Sequence, residues 1–234
     1  MAANYSLLKD SENELLEKFR AFARHVILSW KTLYKTLQND EIISEEQLQT
    51  FFELEDQSNH FEAEILDDSI WAISKNQPVG NHLRFIIAIL NSITDLERMA
   101  DYVMSTAKFF YTHKKVGNKI KDLLISSIKD SSSYIEKILD CLMNKKAVET
   151  YEVAVRYQTA YQDKYSSTMV ELSKILHSKT AKEIANILTG VIIIFKHVER
   201  NVDHALNIAE NFLYIKESDF FFSKKSKQVQ KIKK

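Results

Sequence analysis

"ITDLERMADYVMSTAKFF" occupies residues 93–110 and "FKHVERNVDHALNIAENF" occupies residues 195–212. With Glu97 set over Glu199 the two stretches align without a gap. Glu97/Glu199, Arg98/Arg200, Asp101/Asp203, Ala107/Ala209 and Phe110/Phe212 coincide, and most other positions keep their apolar or polar character. Each stretch carries apolar residues at spacings of three and four, the mark of a helix with one buried face. A duplicated helix of this kind implies a duplicated unit around it.

Outward from these two stretches, the rest of the chain reads as helix. Three glycines and one proline in 234 residues leave little material for hairpin turns or glycine-rich phosphate loops. That composition argues against P-loop and dinucleotide-binding enzymes. Boxes of the form S/T-x-x-E/Q occur at "SENE" (11–14), "SEEQ" (44–47) and "TAKE" (180–183), each able to satisfy the first free amides of a helix. "NQPVGN" (76–81) and "HKKVGNK" (113–119) are the clearest breaks. Six long helices are expected at Leu7–Leu37, Ser44–Ser74, Asn81–Thr112, Val116–Asn144, Lys146–Leu176 and Thr180–Ile215. A helix of about 30 residues runs about 45 Å, so they should pack side by side, antiparallel, with short loops. The expected fold is all-α: two tandem three-helix bundles with pseudo-twofold resemblance, at 1–114 and 115–215, followed by a basic tail at 216–234.

The composition, 45% apolar and 27% charged, is that of a globular chain with a buried core. Zero formal net charge supplies no general drive toward nucleic acid. The lone Cys141 cannot form an internal disulfide and reads as a small buried side chain. The N-terminus lacks the pattern of a signal peptide, and apolar runs such as "VIIIF" (191–195) are far too short to cross a bilayer. A cytoplasmic protein is expected. Trp30 and Trp71 fall in helical apolar patterns and read as packing residues.

The duplicated helices hold one anomaly. In the series Leu83, Ile86, Leu90, Ile93, Glu97, Ala100, Met104, Ala107, a glutamate stands where the pattern asks for leucine. The series Ala185, Leu188, Ile192, Phe195, Glu199, Val202, Leu206, Ala209 repeats it. Asp101 and Asp203 follow one turn later on the same face. Paired carboxylates repel, and desolvating either costs several kcal/mol unless a cation or strong donors compensate. An internal ion pair to Arg98 or Arg200 is the plain alternative. Recurrence in both halves favours a cation site, and oxygen ligands at this spacing suit Mg2+, Mn2+ or iron.

The stretches "LERMAD", "VERNVDHALNIAENFLY" and "KNQPVGNHLRFIIAILNSITDLERMAD" resemble the signature helices of the PhoU family, regulators of bacterial phosphate uptake. The resemblance runs from about residue 10 to 215. It implies two three-helix bundles, a homodimer, and E-x-x-x-D motifs that hold metal: Glu97 and Asp101 in one half, Glu199 and Asp203 in the other. Acidic residues on the preceding helix match at Glu55 and Glu62. The implied ion is iron, Mg, Mn or Zn, and the implied partners are the ATPase side of a phosphate ABC transporter and a sensor kinase. In the second half the family spacing lands near Ala160, Lys164 and Ser167, which are poor ligands, with Asp163 and Glu171 close by. The first half is therefore expected to bind metal better.

Other chemistries find less support. The chain has no Glu-x-x-His pair, which a ferritin-like di-iron oxidase requires on two helices. It also lacks a G-x-S-x-G nucleophile motif. His197 and His204 read as partly exposed helix residues. A carboxylate-bridged enzyme or metal store of helical-bundle type is the competing reading, and a metal-free scaffold is a third. The tail carries Phe220–Phe222 and then six lysines within its last eleven residues. It reads either as a solvated end or as a peripheral contact with anionic lipid or an acidic transporter surface.

Overall fold

The computed structural model describes residues 5–39, 42–114, 116–144, 147–177 and 187–215. Among these residues there are six α-helices and no strands. They are α1 (Tyr5–Asn39), α2 (Glu45–Asn76), α3 (Asn81–Thr112), α4 (Asn118–Asn144), α5 (Ala147–His177) and α6 (Leu188–Tyr214). The expected all-α fold is the observed one. The box at 180–183, Ala185 and the tail at 216–234 lie outside the described residues.

Local chemistry accounts for some helix ends and packing for others. Ser44 caps α2 as expected: its hydroxyl accepts from the Gln47 amide at 3.1 Å, while the Gln47 side chain accepts from the Ser44 amide at 2.9 Å. The "SENE" box is not a cap. α1 begins before it, and the Ser11 hydroxyl donates to the Leu7 carbonyl inside the helix at 3.0 Å. Leu8 is buried as deeply as Leu15, so the apolar face carries the helix past its local stop signal. α2 ends just before Pro78, and the left-handed residue there is Gln77 (φ 47) rather than a glycine. Gly80, at φ 59 and ψ −126, opens α3 in a conformation that a side chain would strain.

α3 packs on α1 and α2, α6 packs on α4 and α5, and the two groups meet along α3 with α6 and α1 with α4. This pattern maps onto itself when the first three helices are exchanged for the last three. One continuous core results, including Phe19, Phe22 and Trp30 of α1, Ile89, Leu96 and Met99 of α3, and Phe195, Val198 and Val202 of α6. The Trp30 indole donates to the Met99 carbonyl at 3.0 Å. Trp71, by contrast, is 53% exposed, with the Lys75 ammonium 4.1 Å from its ring centre, so only one of the two tryptophans is a core residue.

α3 and α6 run antiparallel, as their cross-contacts show. Ser92 meets Asn211, Asp95 meets His204, Tyr102 meets His197, and Phe109 meets Gly190. At the last crossing a Cβ on Gly190 would lie 2.6 Å from the Phe109 ring, so the absence of a side chain sets how closely the two helices approach.

Candidate carboxylate sites

The deepest line of α3 runs through Ile86, Ile89, Ile93, Leu96, Met99, Val103 and Phe110. Glu97 therefore stands on the flank of the buried stripe, half-buried, on the side facing α2, and Asp101 follows one turn later and is more exposed. Because α2 runs antiparallel to α3, Glu62 comes opposite Glu97 and Glu55 opposite Asp101. The first half thus gathers all four acidic residues expected of it.

The electrostatics of this group are unfavourable as it stands. Burial pushes the Glu97 carboxyl up from its ordinary 4.5 to about 7, and the charges of Asp101 and then Glu62 add to the rise. Arg98 opposes it only weakly. Burial and the Glu55 charge also raise Asp101, while a hydrogen bond from Glu97 acts the other way. Glu97 thus holds its proton well above the ordinary carboxylate range, hydrogen-bonded to Asp101. Glu62 accepts from the Thr94 hydroxyl at 3.1 Å, and Glu55 accepts from the Asn59 amide at 3.0 Å. Among the described residues no base forms an ion pair with any of the four. Arginine neutralisation is therefore not what this half uses.

An all-carboxylate donor set of this kind suits a hard divalent ion. The side chains are adjacent but not converged: among the described residues no three His, Cys, Asp or Glu groups already stand at ion-caging distance.

The second half is built differently. Glu199, with its side chain 13% exposed, is ion-paired to the Lys196 ammonium of its own helix. Asp203 accepts from the Gln158 side-chain amide at 3.1 Å. The Lys196 ammonium also lies 5.9 Å from the centre of the Tyr165 ring. Burial, and then the Glu199 charge, raise the Tyr165 phenol. Tyr161 is raised by burial, with Asp130 and Glu199 contributing. The α5 residues facing this motif are thus Gln158, Tyr161 and Tyr165 rather than Ala160, Lys164 and Ser167. Lys164 pairs with Asp130 instead. Asp163 is exposed, and Glu171 lines a separate groove with Lys119, Asp122 and Lys174.

Between the two motifs lies a polar link that the residue patterns did not reveal. The Asp95 carboxylate meets His204 Nδ1 at 2.7 Å, and the Tyr102 hydroxyl lies 3.3 Å from His204 Nε2. Tyr102 stacks on His197 with ring centres 4.5 Å apart. His204 is buried, not partly exposed. The signal was present in the repeat: the offset that pairs Glu97 with Glu199 also pairs Asp95 with His197 and Tyr102 with His204. Exchanging the halves therefore turns the Asp95/His204 contact into the Tyr102/His197 contact, as a pseudo-twofold axis between α3 and α6 requires.

A PhoU domain model matches residues 19–110, which span most of α1 through α3. The MG409 protein of Mycoplasma genitalium is 32% identical over 221 residues, covering 93% of this chain and 98% of that protein. The phosphate-specific transport system accessory protein PhoU homolog of Clostridium acetobutylicum is 28% identical over 218 residues, covering 87% of this chain and 93% of its own length. Among solved structures, PhoU from Pseudomonas aeruginosa superposes with a TM-score of 0.69 at 20% identity, covering 88% of this chain and 97% of that one. The phosphate transport system regulatory protein PhoU from Streptococcus pneumoniae gives 0.69 at 20% identity, covering 92% and 99%.

Proposed function

Since the chain belongs to the PhoU family of phosphate-transport accessory proteins, we propose that it regulates phosphate uptake and phosphate homeostasis by contact with a phosphate ABC transporter or its signalling partner. The relation to the Clostridium acetobutylicum homolog, which extends through both halves, carries this reading. The protein acts by binding rather than catalysis, as a cytoplasmic homodimer at the ATPase side of the transporter, with a sensor kinase as the second partner. No helix among the described residues is long and apolar enough to cross a membrane. The lysine-rich tail offers an electrostatic means of approaching the membrane face or an acidic transporter surface.

In this reading Glu55, Glu62, Glu97 and Asp101 hold a divalent ion of iron, Mg, Mn or Zn. The ion supplies the positive charge these carboxyls lack, and its arrival expels the proton held by Glu97. Metal binding is therefore favoured as pH rises through about 7. The expected test result is recovery of the transporter ATPase subunit with the tagged protein from cross-linked cells. Recovery should fall when Glu97→Gln/Asp101→Asn removes the ion. Failure to recover any transporter subunit at either high or low phosphate would overturn the reading.

A further inference from the structure

Three positions around the first carboxylate pair have counterparts, by the helix they sit on and the residue they face, around the second, and these three replacements run in one electrostatic direction. Thr94, which donates to Glu62, corresponds on α6 to Lys196, which pairs with Glu199. Glu55, which faces Asp101, has Gln158 in its place facing Asp203, held there by a 3.1 Å hydrogen bond. Glu62, which faces Glu97, has Tyr165 in its place facing Glu199. Among the described residues, one half thus assembles four carboxyls and no base paired to them. The other assembles two carboxyls, one ammonium, one amide and two phenols, Tyr161 and Tyr165.

We infer that the second half carries its counter-cation covalently, as the Lys196 ammonium held between Glu199 and the Tyr165 ring, and takes no metal ion. The charge balance supports this. A divalent ion entering there would have to displace an ammonium already paired with a carboxylate that is largely withdrawn from water. It would then find the two motif carboxylates, since the nearby Asp130 is already paired with Lys164. Gln158 offers a neutral oxygen only by giving up its bond to Asp203. Tyr165 brings only a phenol where the first half has the Glu62 carboxylate, a far poorer ligand for a hard ion. The ring face adds a weak attraction for the ammonium at the outer edge of cation–π range.

The functional consequence is asymmetry within a duplicated fold. One half responds to ion supply, while the other has one of its two carboxylates countered by an ammonium of its own helix, which does not depend on ion supply. This deepens the metal reading given above, but it can fail or stand independently of that reading.

The test uses the full chain with the first half disabled by Glu97→Gln/Asp101→Asn, so that only the second half is read. Melting temperature is followed in chelator and in excess Mn2+, with bound Mn2+ counted by metal analysis after dialysis. The expected result is no bound ion and no shift. A Mn2+-dependent rise, lost on further Glu199→Gln/Asp203→Asn substitution, overturns the inference. In the same background, Lys196→Thr/Tyr165→Glu/Gln158→Glu rewrites the second half in the residues of the first and should gain one Mn2+ per chain with a raised melting temperature. No gain in a cooperatively melting protein overturns the assignment. If that variant fails to fold, Lys196→Thr/Gln158→Glu, which leaves the Tyr165 ring in place, serves with the same readout. A wild-type protein that binds no Mn2+ while the rewritten one does would refute the first-half metal site and leave this inference standing.

Discussion

Removing one charge from the first carboxylate group should make the metal-free protein more stable, not less. In Glu97→Gln the side chain keeps its size and loses its ability to ionise. The wild-type carboxyl is raised from 4.5 to about 7, so the folded protein holds this proton more tightly than the unfolded chain does. The resulting stabilisation is complete below about pH 4.5 and is lost as pH rises through about 7. A rise of that size corresponds to about 3 kcal/mol at most. Glu97 is only half-buried and its neighbours reach solvent, so screening reduces the expected effect to about 1–2 kcal/mol. Urea denaturation in chelator should show the wild type losing that amount between pH 5 and pH 8 relative to Glu97→Gln. The variant should match the wild type at pH 5 and exceed it at pH 8. Adding a divalent ion at pH 8 should reverse the order, because the ion replaces the missing countercharge only where a carboxylate can ligate it. Parallel pH profiles, or a variant that is the weaker of the two at pH 8 in chelator, would refute the assignment of Glu97 to a strained acidic cluster.

Two further outcomes probe the contact between α3 and α6. Gly190→Ala places a methyl group 2.6 Å from the Phe109 ring. Overpacking of about 1–3 kcal/mol then exceeds the gain in helix propensity of about 1 kcal/mol, so melting should fall by about 2–4 °C; an unchanged or higher melting temperature counts against the close approach. His204→Ala leaves the Asp95 carboxylate without its partner at a largely buried position, for a loss of about 1–3 kcal/mol. A double-mutant cycle with Asp95→Ala should return a coupling of about 1 kcal/mol or more, and a coupling near zero would remove the link between the halves.

The capping signals show how far local chemistry reaches. Ser44 and Gln47 form the expected box because nothing in the tertiary structure competes with it. Ser11 and Glu14 carry the same pattern yet sit inside α1, because the buried face of that helix begins at Leu8. Apolar period likewise identified most of the core but assigned Trp71 and Ile192 to it wrongly, since both are about half exposed. Period tells which residues share a helix face, not which neighbour covers that face.

The sequence alone determined that this is a duplicated all-helical protein with acidic pairs at matched positions, because helix period, helix breaks and the repeat are all local properties of the chain. It also indicated that the second half was the poorer ligand set. Only the tertiary structure decided what those acids meet. Glu62 and Glu55 come opposite Glu97 and Asp101, Gln158 and Tyr165 come opposite Asp203 and Glu199, and Asp95 reaches His204 across the two halves. The energy of a charge depends on the groups within a few ångströms of it. Here those groups come from helices far apart in the chain, brought together by the packing of α2 on α3, α5 on α6 and α3 on α6.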